Sequence, residues 1–121
     1  MKKTELGAWG EQLAAEHMEA AGYRILARNF RSRFGEIDII ARRGDVLAFV
    51  EVKLRKDASH GEAREFVTAA KQQRLRTTAE YYLAARPWAQ ELQARFDVAE
   101  IYAPQGASGT GRIQILENAF E

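Results

Sequence analysis

Residues 35–55, GEIDIIARRGDVLAFVEVKLR, decide the fold of this chain. Two apolar, β-branched runs flank the dipeptide Gly44-Asp45, which favours a two-residue hairpin turn. In such a hairpin Arg43 pairs with Val46, and the sum of the two residue numbers stays the same for every later cross-strand pair. The stretch therefore predicts two antiparallel strands in a fixed register.

Four charged residues lie at the far end of this predicted hairpin. Continued pairing places Asp38 opposite Glu51 and Glu36 opposite Lys53, with all four side chains on one face of the sheet. Directly opposed carboxylates repel each other and lose hydration when they are partly buried. Two interpretations stay open: a divalent cation between Asp38 and Glu51, or a solvated face on which Glu36 pairs with Lys53.

Length and composition limit the class of protein. The chain has 121 residues, of which 46% are hydrophobic, and this predicts one domain spanning residues 1–121. It contains no cysteine, which excludes disulfides and thiolate metal sites and favours a reducing compartment. The N-terminus has no apolar signal segment, and no run is long enough to cross a membrane. We expect a cytoplasmic protein without a membrane partner.

Charge is unevenly distributed along the sequence. The stretch from Tyr23 to Lys56 carries nine basic and four acidic residues, whereas the rest carries nine basic and thirteen acidic residues. A basic region around an acidic pair is the pattern expected for a protein that binds a phosphate backbone. Arginines that serve only solubility on exposed strands would give the same count.

A first helix is predicted from a cap at Thr4 to about Ala21, before Gly22. Glu11 borders its apolar stripe, and an isolated glutamate in such a position usually lies at the surface. His17, which has no zinc-ligand partner in the sequence, is predicted to be a partly buried helix residue. The stripe itself recurs at helical spacing and consists of Leu6, Trp9, Leu13, Ala14, His17 and Ala21.

The remaining elements follow from apolar periodicity and breaker residues. A second helix starts at Ser59 or at Thr68, with the later start favoured, and ends near Ala85. A helix between the third and fourth strands implies that these two strands are parallel. Predicted along the chain are a strand over Tyr23–Arg31, a short helical turn or loop over Trp88–Ala94, a strand over Arg95–Ala103, a glycine-rich loop over Pro104–Gly111, and an edge strand over Arg112–Glu117.

The ordered pattern Asp38 followed by Glu51-Val52-Lys53 resembles the D…ExK core of the PD-(D/E)XK nuclease superfamily. More closely, the chain resembles the YraN family of small bacterial proteins over roughly Leu6 to Ile101. This likeness rests on Gly7, Gly10, Glu11 and Ala14 in the first helix, NFRSRFGEIDIIARR at 29–43, FVEVKLR at 49–55, Val67, Lys71 and Arg74 in the second helix, and RFDV at 95–98.

The resemblance implies a restriction-endonuclease-like α-β-β-β-α-β core, a mixed sheet flanked by helices, with a short extra C-terminal strand. By the same resemblance, which extends to archaeal Holliday junction resolvases, Glu11, Asp38, Glu51 and Lys53 form the catalytic site. Two features depart from the superfamily. Ile37 stands where its name has proline, and the second helix has no QxxxY pattern, which argues against the branch that uses it.

The expected activity is Mg²⁺- or Mn²⁺-dependent hydrolysis of DNA, including branched or structured DNA. Hard cations prefer oxygen ligands, and these are supplied by Asp38, Glu51, the carbonyl of Val52, and Glu11 directly or through water. Lys53 is expected to orient the attacking water or to donate to the transition state. The residues expected to contact the DNA backbone are Arg31, Arg33, Arg55, Lys71 and Arg74.

Two rival functions fit the same residues. One is a nucleic-acid-binding accessory protein that keeps the nuclease fold and cuts little by itself, and the other is a purely structural interaction domain. By analogy with junction resolvases, which cut two strands, a homodimer is also expected. The substrate's structure is not specified by the sequence, because single strands, ends, junctions and RNA all present the same phosphates.

Overall fold

The computed structural model describes residues 5–55, 67–103 and 112–120. Its strands form one five-stranded sheet in the order β1-β2-β3-β4-β5, in which β3 and β4 are parallel and the other neighbours antiparallel. This confirms the restriction-endonuclease-like order with an added C-terminal strand. The elements are α1 (Glu5–Ala20), β1 (Arg24–Ser32), β2 (Gly35–Arg43), β3 (Val46–Arg55), α2 (Ala69–Ala84), a 3-10 helix (Pro87–Glu91), β4 (Gln93–Tyr102) and β5 (Arg112–Phe120).

The central hairpin has the predicted turn and register. Gly44 has a φ of 61°, the left-handed conformation that a tight hairpin turn requires. Pairing then runs from Arg43 with Val46 to Ile39 with Val50. The ladder thus ends one residue before the expected pairing of Asp38 with Glu51.

Where this ladder ends, the Asp38 side chain provides the hydrogen bond between the two strands. The backbone N–H of Val52 donates to Oδ2 of Asp38 at 2.8 Å, so β2 and β3 are joined there through a carboxylate. A strand end at which backbone groups are released from pairing is a place where a ligand can approach the backbone. The hairpin therefore brings the acidic residues together, although by a different contact from the predicted one.

The helix α1 ends as predicted, but the face that it buries is different. Gly22 follows the helix with a φ of 94°, and the N–H of Tyr23 donates to the carbonyl of Met18 at 3.0 Å. The expected stripe was wrong at His17 and Ala21, which are both exposed. The buried residues are Gly10, Glu11, Ala14, Ala15 and Met18. Apolar periodicity missed this face because a buried glutamate belongs to it.

The helix α2 begins at the later of the two predicted starts. Thr68 is its N-cap, and the Thr68 hydroxyl accepts a hydrogen bond from the N–H of Lys71 at 3.2 Å. The earlier start at Ser59, the Thr4 cap and the loop over Pro104–Gly111 lie outside the described residues. The segment after α2 is the short helical turn of the two alternatives, a 3-10 helix over Pro87–Glu91.

The sheet separates two apolar clusters, one under each helix. The cluster under α1 joins Ala14, Ala15 and Met18 to residues of β2, β3 and β4. The cluster under α2 joins Leu75 and Tyr82 to the opposite faces of the same strands. The helices therefore pack on opposite faces of the sheet. In the described ranges no helix is long and apolar enough to cross a membrane.

Candidate metal centre

An acidic pair lies at the end of the β2–β3 ladder, beneath the first turns of α2. Asp38 from β2 and Glu51 from β3 line one pocket of about 240 Å³. The sequence prediction that these carboxylates share a face of the sheet is therefore confirmed. The complete lining is Gly35, Glu36, Asp38, Glu51, Lys71, Arg74 and Leu75.

The electrostatics of this pocket are unbalanced at Glu51. Burial raises the pKa of the Glu51 carboxyl above its ordinary value, and the nearby charge of Asp38 raises it further. Lys71 and Lys53 act in the opposite direction and lower the pKa without cancelling the rise. Burial and Asp38 together therefore disfavour the charged form of Glu51 more than the two lysines favour it.

Lys71 supplies a direct cationic contact to the acidic pair. Its Nζ lies 2.7 Å from Oε1 of Glu51, whose side chain is only 11% exposed. An ammonium group at this position supplies one positive charge, half of what a bound divalent cation would supply. The pair shows that the pocket favours positive charge next to Glu51.

Two carboxylates fit Mg²⁺ or Mn²⁺ better than a metal whose ligands must all come from the protein. Mg²⁺ is usually bound by one or two carboxylates and keeps several waters or substrate phosphates as its other ligands. Asp38 and Glu51 supply two carboxylates, and the backbone at Val52, which is bonded to Asp38, lies beside them. Throughout the described segments no group of three or more His, Cys, Asp or Glu residues could hold a metal ion.

Glu11 is buried in α1 and is not among the residues that line this pocket. Its Oε1 accepts hydrogen bonds from Nε of Arg28 at 3.1 Å and from Nδ2 of Asn29 at 2.9 Å. In the β1–β2 register Asn29 is the cross-strand neighbour of Asp38. Glu11 therefore contacts β1 directly, through Arg28 and Asn29.

Asn29 is a residue whose importance the sequence reasoning missed. Its backbone has a φ of 53°, and its Oδ1 is buried without a hydrogen-bond donor among the described residues. A buried acceptor left unpaired costs about 1–3 kcal/mol, which a water or a cation would offset. The available signal was the residue type, since asparagine tolerates the left-handed conformation inside a strand.

The five basic residues expected to contact a phosphate backbone are placed differently from one another. Arg74 is exposed and lines the pocket, and Lys71 contacts Glu51. Arg31 is exposed and pairs with Glu36 at 2.9 Å, and the guanidinium of Arg33 lies over the ring of Phe34. Arg55 is paired with Glu100 at 2.6 Å and is only 9% exposed, which makes it a buried link between β3 and β4.

The RFDV stretch forms a separate, closed ion pair in β4. Arg95 donates to the buried carboxylate of Asp97 from Nε at 2.9 Å and from a terminal nitrogen at 2.8 Å. The N–H of Asn118 in β5 donates to the same carboxylate at 2.9 Å, and Arg95 also donates to the hydroxyl of Tyr23. This cluster fastens β4 to β5 and to the start of β1.

A mixed sheet between two helices, with an acidic pair on its second and third strands, defines a restriction-endonuclease-like protein. The chain belongs to the uncharacterised protein family UPF0102, the YraN family of the sequence resemblance, whose model matches residues 10–101. It is 50% identical to the UPF0102 protein of Symbiobacterium thermophilum over 95% of each chain. It is 42% identical to that of Caldicellulosiruptor saccharolyticus over 99% of this chain and 100% of the other.

Proposed function

We propose that this protein is a metal-dependent nuclease that hydrolyses phosphodiester bonds in DNA. The observation that carries the proposal is the convergence of Asp38 and Glu51 in one pocket with Lys71 and Arg74. Acids alone would repel a phosphate, and cations alone would merely bind it. The combination of the two fits a site that holds a divalent cation and a phosphate together.

Each lining residue has a separate role in this proposal. Asp38, Glu51 and the carbonyl of Val52 hold Mg²⁺ or Mn²⁺, which when bound supplies a water of lowered pKa and positive charge at the phosphate. Lys53 lies near enough to Glu51 to lower its pKa, and it donates to the phosphate oxygens as negative charge develops. Arg74 positions the backbone of the DNA.

A second candidate function is that of an accessory protein that binds nucleic acid through the same pocket and cuts little alone. It is favoured by the position of Glu11, which is held by Arg28 and Asn29 and does not line the pocket. A site that needs Glu11 near the ion would have to rearrange before it could cut. Both candidates share DNA as the partner and the cytoplasm as the compartment, and by analogy with junction resolvases both allow a homodimer.

A cleavage assay on supercoiled plasmid and on a branched four-strand junction, with Mn²⁺ and with EDTA, tests the proposal. We expect Mn²⁺-dependent cleavage by the wild type and a loss of at least about 100-fold in Asp38→Asn and Lys53→Ala, typical of groups that stabilise developing charge. Asp38→Asn keeps an oxygen acceptor for the N–H of Val52.

The matched control is Asp45→Asn, the same chemical change in the exposed turn at the opposite end of the hairpin. It should cut at the wild-type rate. Binding without metal-dependent cleavage on either DNA would favour the accessory function. If neither binding nor cleavage is observed, the remaining function is that of a structural interaction domain.

A further inference from the structure

An exposed aromatic side chain lies beside the pocket, on the same helix that closes it. Tyr81 of α2 is 50% exposed. The Phe34 ring lies 5.9 Å from it between centroids, and the Phe30 ring 6.3 Å. The guanidinium of Arg33 covers Phe34 at 4.9 Å. We name Arg33, Phe34 and Tyr81 the aromatic ledge.

The ledge and the pocket share a wall. Gly35, which follows Phe34 in the β1–β2 turn, lines the pocket together with Arg74. A Cβ atom at Gly35 would lie 3.1 Å from the hydroxyl of Thr78, so the turn is pressed against α2 between Arg74 and Tyr81. Tyr81 follows Arg74 by seven positions in the helix, about 10 Å along the axis. A base at Tyr81 and a phosphate at Arg74 can therefore belong to nearby nucleotides of one strand.

The ring of Tyr81 is in contact with two aromatic rings, and the residue is still 50% exposed. Phe30 and Phe34 both contact it, and Phe34 is already packed between Tyr81 and Arg33. These contacts hold the β1–β2 turn against α2 while half of the Tyr81 surface stays exposed. An aromatic face fixed in this way, with arginines next to it, is the usual platform for an unpaired base.

We propose that the aromatic ledge stacks an unpaired nucleobase of a DNA strand whose phosphate enters the pocket. This proposal rests on the proposed function and adds the substrate class: DNA with a single-stranded segment next to the bond that is cut. In a continuous duplex the bases are stacked on one another and cannot reach Tyr81. The positive charge of Arg33 and Arg74 complements the phosphates on either side of the stacked base.

The test compares two DNA probes, an oligothymidylate strand and the duplex that it forms with oligoadenylate, at one fixed salt concentration. Dissociation constants are measured with Ca²⁺ in place of Mn²⁺, and cleavage of both probes is measured with Mn²⁺. The wild type should prefer the single strand. Tyr81→Ala should weaken single-strand binding at least about five-fold, as expected for the loss of one stacking contact.

Two variants separate stacking from damage to the fold. Tyr81→Phe keeps the ring and should retain most of the single-strand affinity. Trp88→Ala removes an aromatic side chain that is 48% exposed on the 3-10 helix beyond α2, and it should bind both probes as the wild type does. Equal weakening in Tyr81→Phe and Tyr81→Ala would overturn the stacking role, because it would point to the hydroxyl or to the fold.

The outcomes distinguish this inference from the proposed function. Wild-type cleavage with no preference for the single strand, or a Tyr81→Ala variant with unchanged preference, overturns base stacking on the aromatic ledge. Either result is compatible with the proposed nuclease activity. Single-strand binding that depends on Tyr81 without cleavage in Mn²⁺ overturns hydrolysis and supports the ledge. A wild type that binds neither probe overturns both.

Discussion

Two buried acids on neighbouring strands, Asp97 in β4 and Glu51 in β3, differ in how completely they are paired. The Asp97 side chain has no exposed surface and accepts hydrogen bonds from two groups of Arg95 and from the N–H of Asn118. Glu51 is almost as buried, but it lies beside another acid and has the half-exposed Lys71 as its cation. The first acid is satisfied by the protein, and the second is left in conflict.

This difference separates a fully paired acid from an incompletely paired one. A buried charge is tolerated when a partner charge and hydrogen bonds satisfy it fully, as the Arg95 guanidinium does for Asp97. The same contact holds the pKa of the Arg95 guanidinium above its ordinary range. At Glu51 the pKa is raised, because burial and the charge of Asp38 disfavour the carboxylate more than Lys71 and Lys53 stabilise it. Such an imbalance is what a ligand can relieve.

The largest effect on unfolding free energy is expected from removing the carboxylate of Asp97, the fully paired acid. Asp97→Ala leaves Arg95 and the N–H of Asn118 without their buried acceptor. Removing one partner of a buried ion pair costs about 3–5 kcal/mol of unfolding free energy. Chemical denaturation of the wild type and of Asp97→Ala at neutral pH measures the difference in their unfolding free energies.

The control is Glu117→Ala, which removes an acid that is 55% exposed and 3.7 Å from Arg95. This variant should lose less than about 1 kcal/mol, as exposed pairs do. If Asp97→Ala were no more destabilising than Glu117→Ala, the complete pairing of Asp97 would not contribute to stability, and its contrast with Glu51 would fail.

A middle-sized effect is expected from adding a divalent cation to the unsatisfied pair. At a free Mn²⁺ concentration one hundred times the dissociation constant, a ligand that binds only the folded state adds about 2.7 kcal/mol to the unfolding free energy. The melting temperature of the wild type should therefore rise with Mn²⁺ concentration, and that of Asp38→Asn should not.

The same titration discriminates between the pocket and non-specific binding to other acids. Asp45→Asn, in the exposed turn of the same hairpin, should respond to Mn²⁺ as the wild type does. An equal rise in Asp38→Asn would place the ion elsewhere. No rise in any of the three proteins would mean that the conflict at Glu51 is not relieved by a metal.

The part of this contrast that a sequence can show is the local part. The register of the hairpin followed from Gly44-Asp45, since a two-residue turn fixes every pair after it. That register brought Asp38 and Glu51 to one pocket, and the Thr68 cap placed the start of α2 above them. These features depend on short-range rules of turn, pleat and cap.

The long-range part could not be predicted from the same rules. The burial of Glu11 depends on Arg28 and Asn29, seventeen and eighteen residues later. The burial of the Arg55 side chain depends on its ion pair with Glu100, forty-five residues away. Periodicity treats every charged residue as exposed, so it fails where a distant partner allows the charge to be buried.

The smallest effect, and the one of opposite sign, is expected from neutralising Glu51 itself. A carboxyl whose pKa is raised by folding contributes stability below its unfolded pKa and loses that contribution as the pH rises through the folded pKa. In EDTA, Glu51→Gln should therefore gain stability over the wild type as the pH rises from acid to neutral. A gain of up to about 1 kcal/mol is typical of removing one like-charge cross-strand contact.

Denaturation curves over this pH range, recorded in EDTA, measure both the sign and the size of this difference. Glu51→Gln loses the ion pair with Lys71, but that lysine is half-exposed and can be hydrated, so its loss should not outweigh the relief from Asp38. A wild type that instead gained stability over Glu51→Gln with rising pH would mean that Lys71 already balances the site. Glu51 would then belong with Asp97 among the structural acids, and the case for a metal between Asp38 and Glu51 would lose its electrostatic basis.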